Sequence, residues 1–117
     1  MTEDRINELK SQIRKFRDER DWKQFHNPKD LAISIAIEAG ELLEEFQWKD
    51  KEAVEKKVRD ERHKVEDEMA DIYIYLLEMS DVLGIDMIEA AKKKMAKNEL
   101  KYPVDKAKGN AKKYTEL

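Results

Sequence analysis

IAIEAGELLEEFQW, residues 35–48, places Ile35, Ala39, Leu42 and Phe46 at intervals of four, three and four, the spacing of one face of an α-helix. Glu38 falls among these apolar positions, and Glu41 and Glu45 lie beside it. A buried carboxylate with no partner costs several kcal/mol, so a helix that packs by this face must supply Glu38 with a counter-charge or a ligand.

Working outward from that segment, Asn27 and Pro28 form a helix start, the Asn side chain capping free amides and Pro occupying the first helical position. The helix they begin is predicted to run to about Trp48. Ahead of it, Ile6, Leu9, Ile13 and Phe16 make one apolar stripe, which predicts a first helix over residues 3–20 and leaves DWKQFHNPKD as a connector. Residues 49–59 are highly charged and read as a loop with a short helix. A third helix is expected from about Asp60 to Gly84, a natural C-terminal cap, and a fourth from the capping residue Asp86 to about Tyr102, where Pro103 stops it. The reading is an all-α four-helix bundle over residues 1–103, followed by a polar, Lys-rich arm over 104–117 that reads as partly disordered.

Composition narrows the functional classes. The 117 residues suffice for one domain, and 44% charged residues with three Gly and two Pro indicate a soluble, mostly helical chain. A net charge of −3 with scattered Lys and Arg offers no basic face for nucleic acid or a membrane surface. The absence of cysteine removes disulfides, thiolate metal sites and cysteine nucleophiles. The first twenty residues mix charge with apolar side chains, and no apolar run reaches the roughly 18 residues of a membrane span, so a cytoplasmic location is expected.

Two helices carry apolar residues on more than one side. On the second, Ile33, Ile37 and Gly40 lie roughly opposite Ile35, Ala39 and Leu42; on the third, Val65, Ile72, Met79 and Leu83 form one stripe and Ala70, Ile74 and Leu77 another. A chain this small cannot cover both faces of two helices, so self-association to at least a homodimer is expected.

Glu38 and Glu41 are three apart, and Glu68 and Asp71 repeat that interval on the third helix. Either pair alone is ordinary in a chain with 27 acidic residues and reads as a solvated helix face. Two pairs bordering apolar stripes on neighbouring helices read differently, because converging carboxylates persist only when protonated, paired or wrapped around a cation. All-oxygen donors suit a hard ion, Mg²⁺ or alternatively Mn²⁺. A di-iron site would require Glu-x-x-His pairs on two helices, which His26 and His63 do not provide.

IEAGELLEEFQW followed by EDEMADIYIYL resembles the Glu-x-x-Glu and Glu-x-x-Asp signature of the all-α nucleoside triphosphate pyrophosphohydrolases of the MazG type. The likeness is closest to the branch that hydrolyses dCTP. ERDWKQFHNPKDL, KMAKNELKYP and the terminal KYTEL extend it over most of the chain, from about Arg20 to Pro103 and the last few residues. The resemblance implies cleavage between the α and β phosphates, yielding a monophosphate and pyrophosphate, with Mg²⁺ held by Glu38, Glu41, Glu68 and Asp71. It also implies that Trp22, His26, Trp48 and Tyr75 build the base pocket; a carboxylate near the attacking water could act as base, with Glu41 and Glu45 the candidates. Flat aromatic surfaces with hydrogen-bonding edges suit a stacked pyrimidine. Taken singly, the Trp and Tyr residues read as core or rim filling and His26 as a surface or helix-start residue.

Lys94, Asn98 and Tyr102, four apart on the fourth helix, correspond to family residues that reach phosphate and sugar; without the resemblance they read as part of a solvated basic stripe. Two features depart from the family pattern. Ile37 stands where the wider superfamily often has an additional Glu, and KDKEAVEKKVRDERHK is richer in Lys and Glu than the dCTP-branch connector and lacks its Pro. The implied substrate is dCTP or a 5-modified dCTP. The same fold acting on dUTP or phosphoribosyl-ATP is the nearest alternative, and a non-catalytic helical interaction module the most distant.

Overall fold

A computed structural model describes residues 2–117 as helices joined by short turns, with no strand among them. The chain divides into two compact units, Met1–Gly84 and Ile85–Leu117.

In the first unit, α1 spans Thr2–Glu19, α2 Pro28–Glu44, α3 Lys51–Asp60 and α4 Arg62–Leu83. The local chemistry explains these boundaries. Asn27 Oδ1 accepts the Asp30 amide at 2.9 Å with Pro28 in the first turn, and Asp50 Oδ1 accepts the Ala53 amide at 2.9 Å to begin α3. Gly84 ends α4 at φ 67°, in the left-handed region that a Cβ disfavours. Two boundaries differ from the sequence reading. The second helix stops at Glu44, because residues 45–49 close into i→i−3 and i→i−4 turns and Trp48 turns left-handed at φ 65°. The charged connector is a regular helix, α3, separated from α4 by Glu61, whose φ of −128° leaves the helical region.

α4 is the organising element: α2 packs along it, and α1 and α3 also lie against it. The buried apolar side chains among the described residues are Ile13 on α1, Leu31 on α2 and Leu77 on α4. Much of the remaining apolar surface is open, including Phe16, Ile33, Ile37, Leu43, Met69 and Leu83. No described helix is long and apolar enough to cross a membrane.

The second unit holds α5, Met87–Lys101, and a single helical turn, α6, Val104–Ala107. Asp86 Oδ1 caps α5 through the Glu89 amide at 3.1 Å. The terminal residues are structured: Tyr114–Glu116 form a 3₁₀ turn, the Tyr114 ring meets Tyr102 edge-on at 6.1 Å, and Lys101 Nζ sits 4.7 Å from its centroid. Stacking and a cation–π contact thus fold the expected arm back onto the end of α5.

Candidate functional site

The packing of α2 on α4 brings Glu38, Glu41 and Glu68 together, with one carboxylate oxygen from each within 4.8 Å of the others. Helical spacing aims Glu38 and Glu41 to one side of α2, and Glu68 meets them from the first half of α4. Glu38 Oε2 and Glu68 Oε2 are buried with no hydrogen-bond partner. Burial, followed by hydrogen bonding to Glu41 and the charges of Glu41, Asp71 and Glu68, pushes the Glu38 carboxyl up to about 7. Glu68 is likewise raised, first by burial and then by Glu41. The orphaned buried oxygens and the mutual repulsion call for a positive charge among them, and the all-oxygen donor set fits a hard divalent ion.

Asp71 stands outside this triplet, on the wall of an adjoining cavity of about 400 Å³. That volume is within the usual range for small-molecule sites. Glu38 reaches the same cavity, so it connects the acid cluster to the cavity. Its aromatic wall is Phe16, Trp22, His26 and Tyr75, backed by Ile13 and Ile74. Trp22 packs edge-on against Phe16 at 5.8 Å and tilts toward His26 at 6.3 Å. Burial raises the Tyr75 hydroxyl, and the charges of Glu38, Glu78 and Asp71 raise it further.

Three of the four expected base-pocket residues, Trp22, His26 and Tyr75, therefore line one cavity. Trp48 does not: it is 94% exposed beyond the end of α2. Glu45 is held by Lys57 of α3 at 2.7 Å, and its charge is felt by Glu68. Lys94 and Asn98 lie four apart on α5 in the second unit, where the Asn98 carbonyl accepts the Tyr102 amide at 2.9 Å as that helix ends.

The sequence reading missed two residues. Glu78, only 5% exposed, accepts a hydrogen bond from His26 Nδ1 at 2.7 Å. The interval Asp71, Tyr75, Glu78 follows one face of α4, a signal in the sequence that the strong acid-pair motif overshadowed. Lys57 lies in the charged connector, where nothing in the sequence sets it apart, and only the packing of α3 identifies its partner Glu45.

Comparison with known proteins agrees with this geometry. Residues 33–117 match the MazG-like family. The dCTP pyrophosphatase 1 of Bos taurus is 40% identical over 104 residues, covering 87% of this chain and 62% of that protein. The Homo sapiens protein of the same name is 38% identical over 104 residues, with 87% and 61% covered. The chain thus spans about three fifths of the length of the curated relatives it matches. A crystal structure of a pyrophosphatase from Archaeoglobus fulgidus superposes with a TM-score of 0.81 at 48% identity, covering 85% of this chain and 93% of that one.

Proposed function

Because this chain belongs to the MazG-like family, we propose that it is a nucleoside triphosphate pyrophosphohydrolase with dCTP or a 5-modified dCTP as substrate. The products are the nucleoside monophosphate and pyrophosphate, and the role is removal of unwanted nucleotides from the cytoplasmic pool. The observation that carries this reading is the junction at Glu38: three converging carboxylates, two with orphaned buried oxygens, open beside a cavity walled by Trp22, His26 and Tyr75. The relatives named for dCTP pyrophosphatase activity support the choice of nucleotide.

Glu38, Glu41 and Glu68 would hold Mg²⁺ or Mn²⁺, with Asp71 as the fourth acid at the cavity edge. A divalent ion there supplies charge neutralisation for triphosphate oxygens and acidifies a bound water. Glu41 or Glu45 takes the proton from the attacking water. Trp22 and Tyr75 present aromatic surfaces to the base, and His26 presents a polar edge. Lys94, Asn98 and Tyr102 would contact phosphate and sugar, and Trp48, outside the cavity in the single chain, would contact the base, as the family signature implies. Apolar surface left open on α2 and α4 supports a homodimer or a homotetramer.

The test is a panel of canonical and modified nucleotides assayed with Mg²⁺ and with excess EDTA, the products being identified. Metal-dependent formation of dCMP and pyrophosphate is expected, with dUTP and phosphoribosyl-ATP as poorer substrates. Production of diphosphate plus phosphate would refute the cleavage position. Absence of turnover with every nucleotide would favour the interaction module.

A further inference from the structure

We infer that Glu78 is a positioning residue for base selection: by holding His26 Nδ1 it leaves Nε2 as the atom that meets the base, and so favours a base bearing an exocyclic amino group over one bearing a carbonyl there. This rests on the proposed nucleotide hydrolysis and concerns residues outside the acid cluster.

Glu78 is 5% exposed and sits on the second half of α4, well beyond Glu68, yet it lines the cavity. A carboxylate is retained in such a place only where it is hydrogen-bonded. Its partner is His26 Nδ1 at 2.7 Å, and the His26 side chain is itself only 18% exposed. An ionised carboxylate can only accept, so Nδ1 carries the proton; a neutral ring then has its single lone pair on Nε2, whereas an imidazolium would donate from Nε2 and favour a carbonyl. The hydrogen bond also fixes the ring plane, in the way that carboxylates orient histidines elsewhere.

His26 comes from the segment between α1 and α2, a turn that by itself would leave its ring free to rotate. Glu78 ties it to α4, the element that also carries Asp71 and Tyr75 into the cavity. The base surface of Trp22 and Tyr75 stacks any pyrimidine, and stacking alone does not distinguish cytosine from uracil. A fixed acceptor does. The N4 amino group of cytosine donates to a lone pair, whereas O4 of uracil places a second lone pair against it. A site built around a hydrogen bond rejects the analogue that leaves its polar group unmatched.

The experiment uses the full chain with Mg²⁺ and measures kcat/KM for dCTP and dUTP in wild type, Glu78→Gln, Glu78→Ala, His26→Ala and the Glu78→Ala/His26→Ala double variant. The dCTP:dUTP ratio should fall about tenfold in Glu78→Ala. It should be largely retained in Glu78→Gln, whose amide oxygen can still accept from Nδ1–H. The double variant should show the same ratio as His26→Ala, because Glu78 acts through His26. Nitrogen-15 NMR of the wild-type imidazole at the assay pH should show Nδ1 protonated and Nε2 bare, a signature that a merely structural Glu78 would not require. A wild type that prefers dUTP, an unchanged ratio in Glu78→Ala, additive losses in the double variant, or a protonated Nε2 would each overturn the inference. If a variant does not fold, the NMR signature in wild type and the Glu78→Gln ratio decide. If wild-type enzyme hydrolyses no nucleotide, the functional reading falls and this inference falls with it. If it hydrolyses dCTP and the ratio ignores Glu78, only the inference falls.

Discussion

Lys57 Nζ lies 2.7 Å from Glu45 and 2.8 Å from Glu61, with its side chain 11% exposed, so one ammonium joins the segment after α2 to the junction of α3 and α4. Lys64 adds a second cation to Glu61 at 2.8 Å, and the two ammonium groups hold the Glu61 carboxyl down at about 2. Glu45, whose charge also reaches Glu68, is thereby kept beside the acid cluster with its own counter-ion. Lys57→Ala should lower Tm by about 5 °C, with Lys57→Arg close to wild type. Adding Glu45→Gln to Lys57→Ala should recover part of the loss, because the unpaired carboxylate is then gone. A thermal melt in which Lys57→Ala matches wild type would show that the pair holds nothing together.

Replacing Glu41 or Asp71 with Ala should reduce nucleotide hydrolysis by roughly 100-fold or more, since each change removes charge from the assembled acid site. Circular dichroism should show the helices intact. An Asp71→Ala protein with undiminished pyrophosphate release would exclude Asp71 from the machinery.

The carboxyl cluster predicts how stability varies with pH in the presence of a chelator. Glu38 titrates near 7 in the folded chain and near its ordinary value of 4.5 when unfolded. Between these values the folded state binds more protons, so the stability of EDTA-treated protein should fall as pH rises from about 4.5 through about 7. Glu38→Gln should flatten that slope, and Mg²⁺ should raise Tm most above pH 7, where the cluster is fully charged. Melts across this range with EDTA and with Mg²⁺ measure both effects. A metal-free wild type that gains stability over this interval would contradict the cluster's electrostatics.

Asp81 gives the opposite slope at lower pH. Arg14 of α1 meets it at 2.6 and 2.9 Å, and this hydrogen-bonded pairing holds the Asp81 carboxyl below its ordinary value of 3.8. A depressed folded value adds stability above the unfolded value and loses it as pH falls through the folded one. Asp81→Asn should therefore cost about 1 kcal/mol at pH 7, limited by solvent screening around the half-exposed guanidinium. The difference from wild type should begin to shrink as pH falls below about 3.8, the ordinary value, and vanish only under the still lower folded value. Urea unfolding at pH 7 and pH 3 compares the two.

The exposed apolar faces predict assembly. Sedimentation or light scattering at micromolar concentration should give a dimer or a tetramer, and Trp48, fully accessible in the single chain, should become shielded from iodide as the concentration rises. A protein that stays monomeric with Trp48 freely quenched would contradict the expectation.

Most of the helices, and the helix-face neighbours Glu38 and Glu41, were legible in the sequence; α3 and the place of Asp71 outside the acid triplet were not. Caps at Asn27, Asp86 and Gly84 act within a few residues, and an interval of three on a helix places Glu38 with Glu41 whatever else the chain does. The family signature rests on the same local spacings. Which distant residues share a wall is set by helix packing alone. His26 and Glu78 are 52 positions apart, and Glu45 and Lys57 lie on either side of a helix start that the charge run concealed. Such pairs leave no period in the sequence. They exist because α2, α1 and α3 pack against α4, and that packing carries the polar residues at its margins into contact.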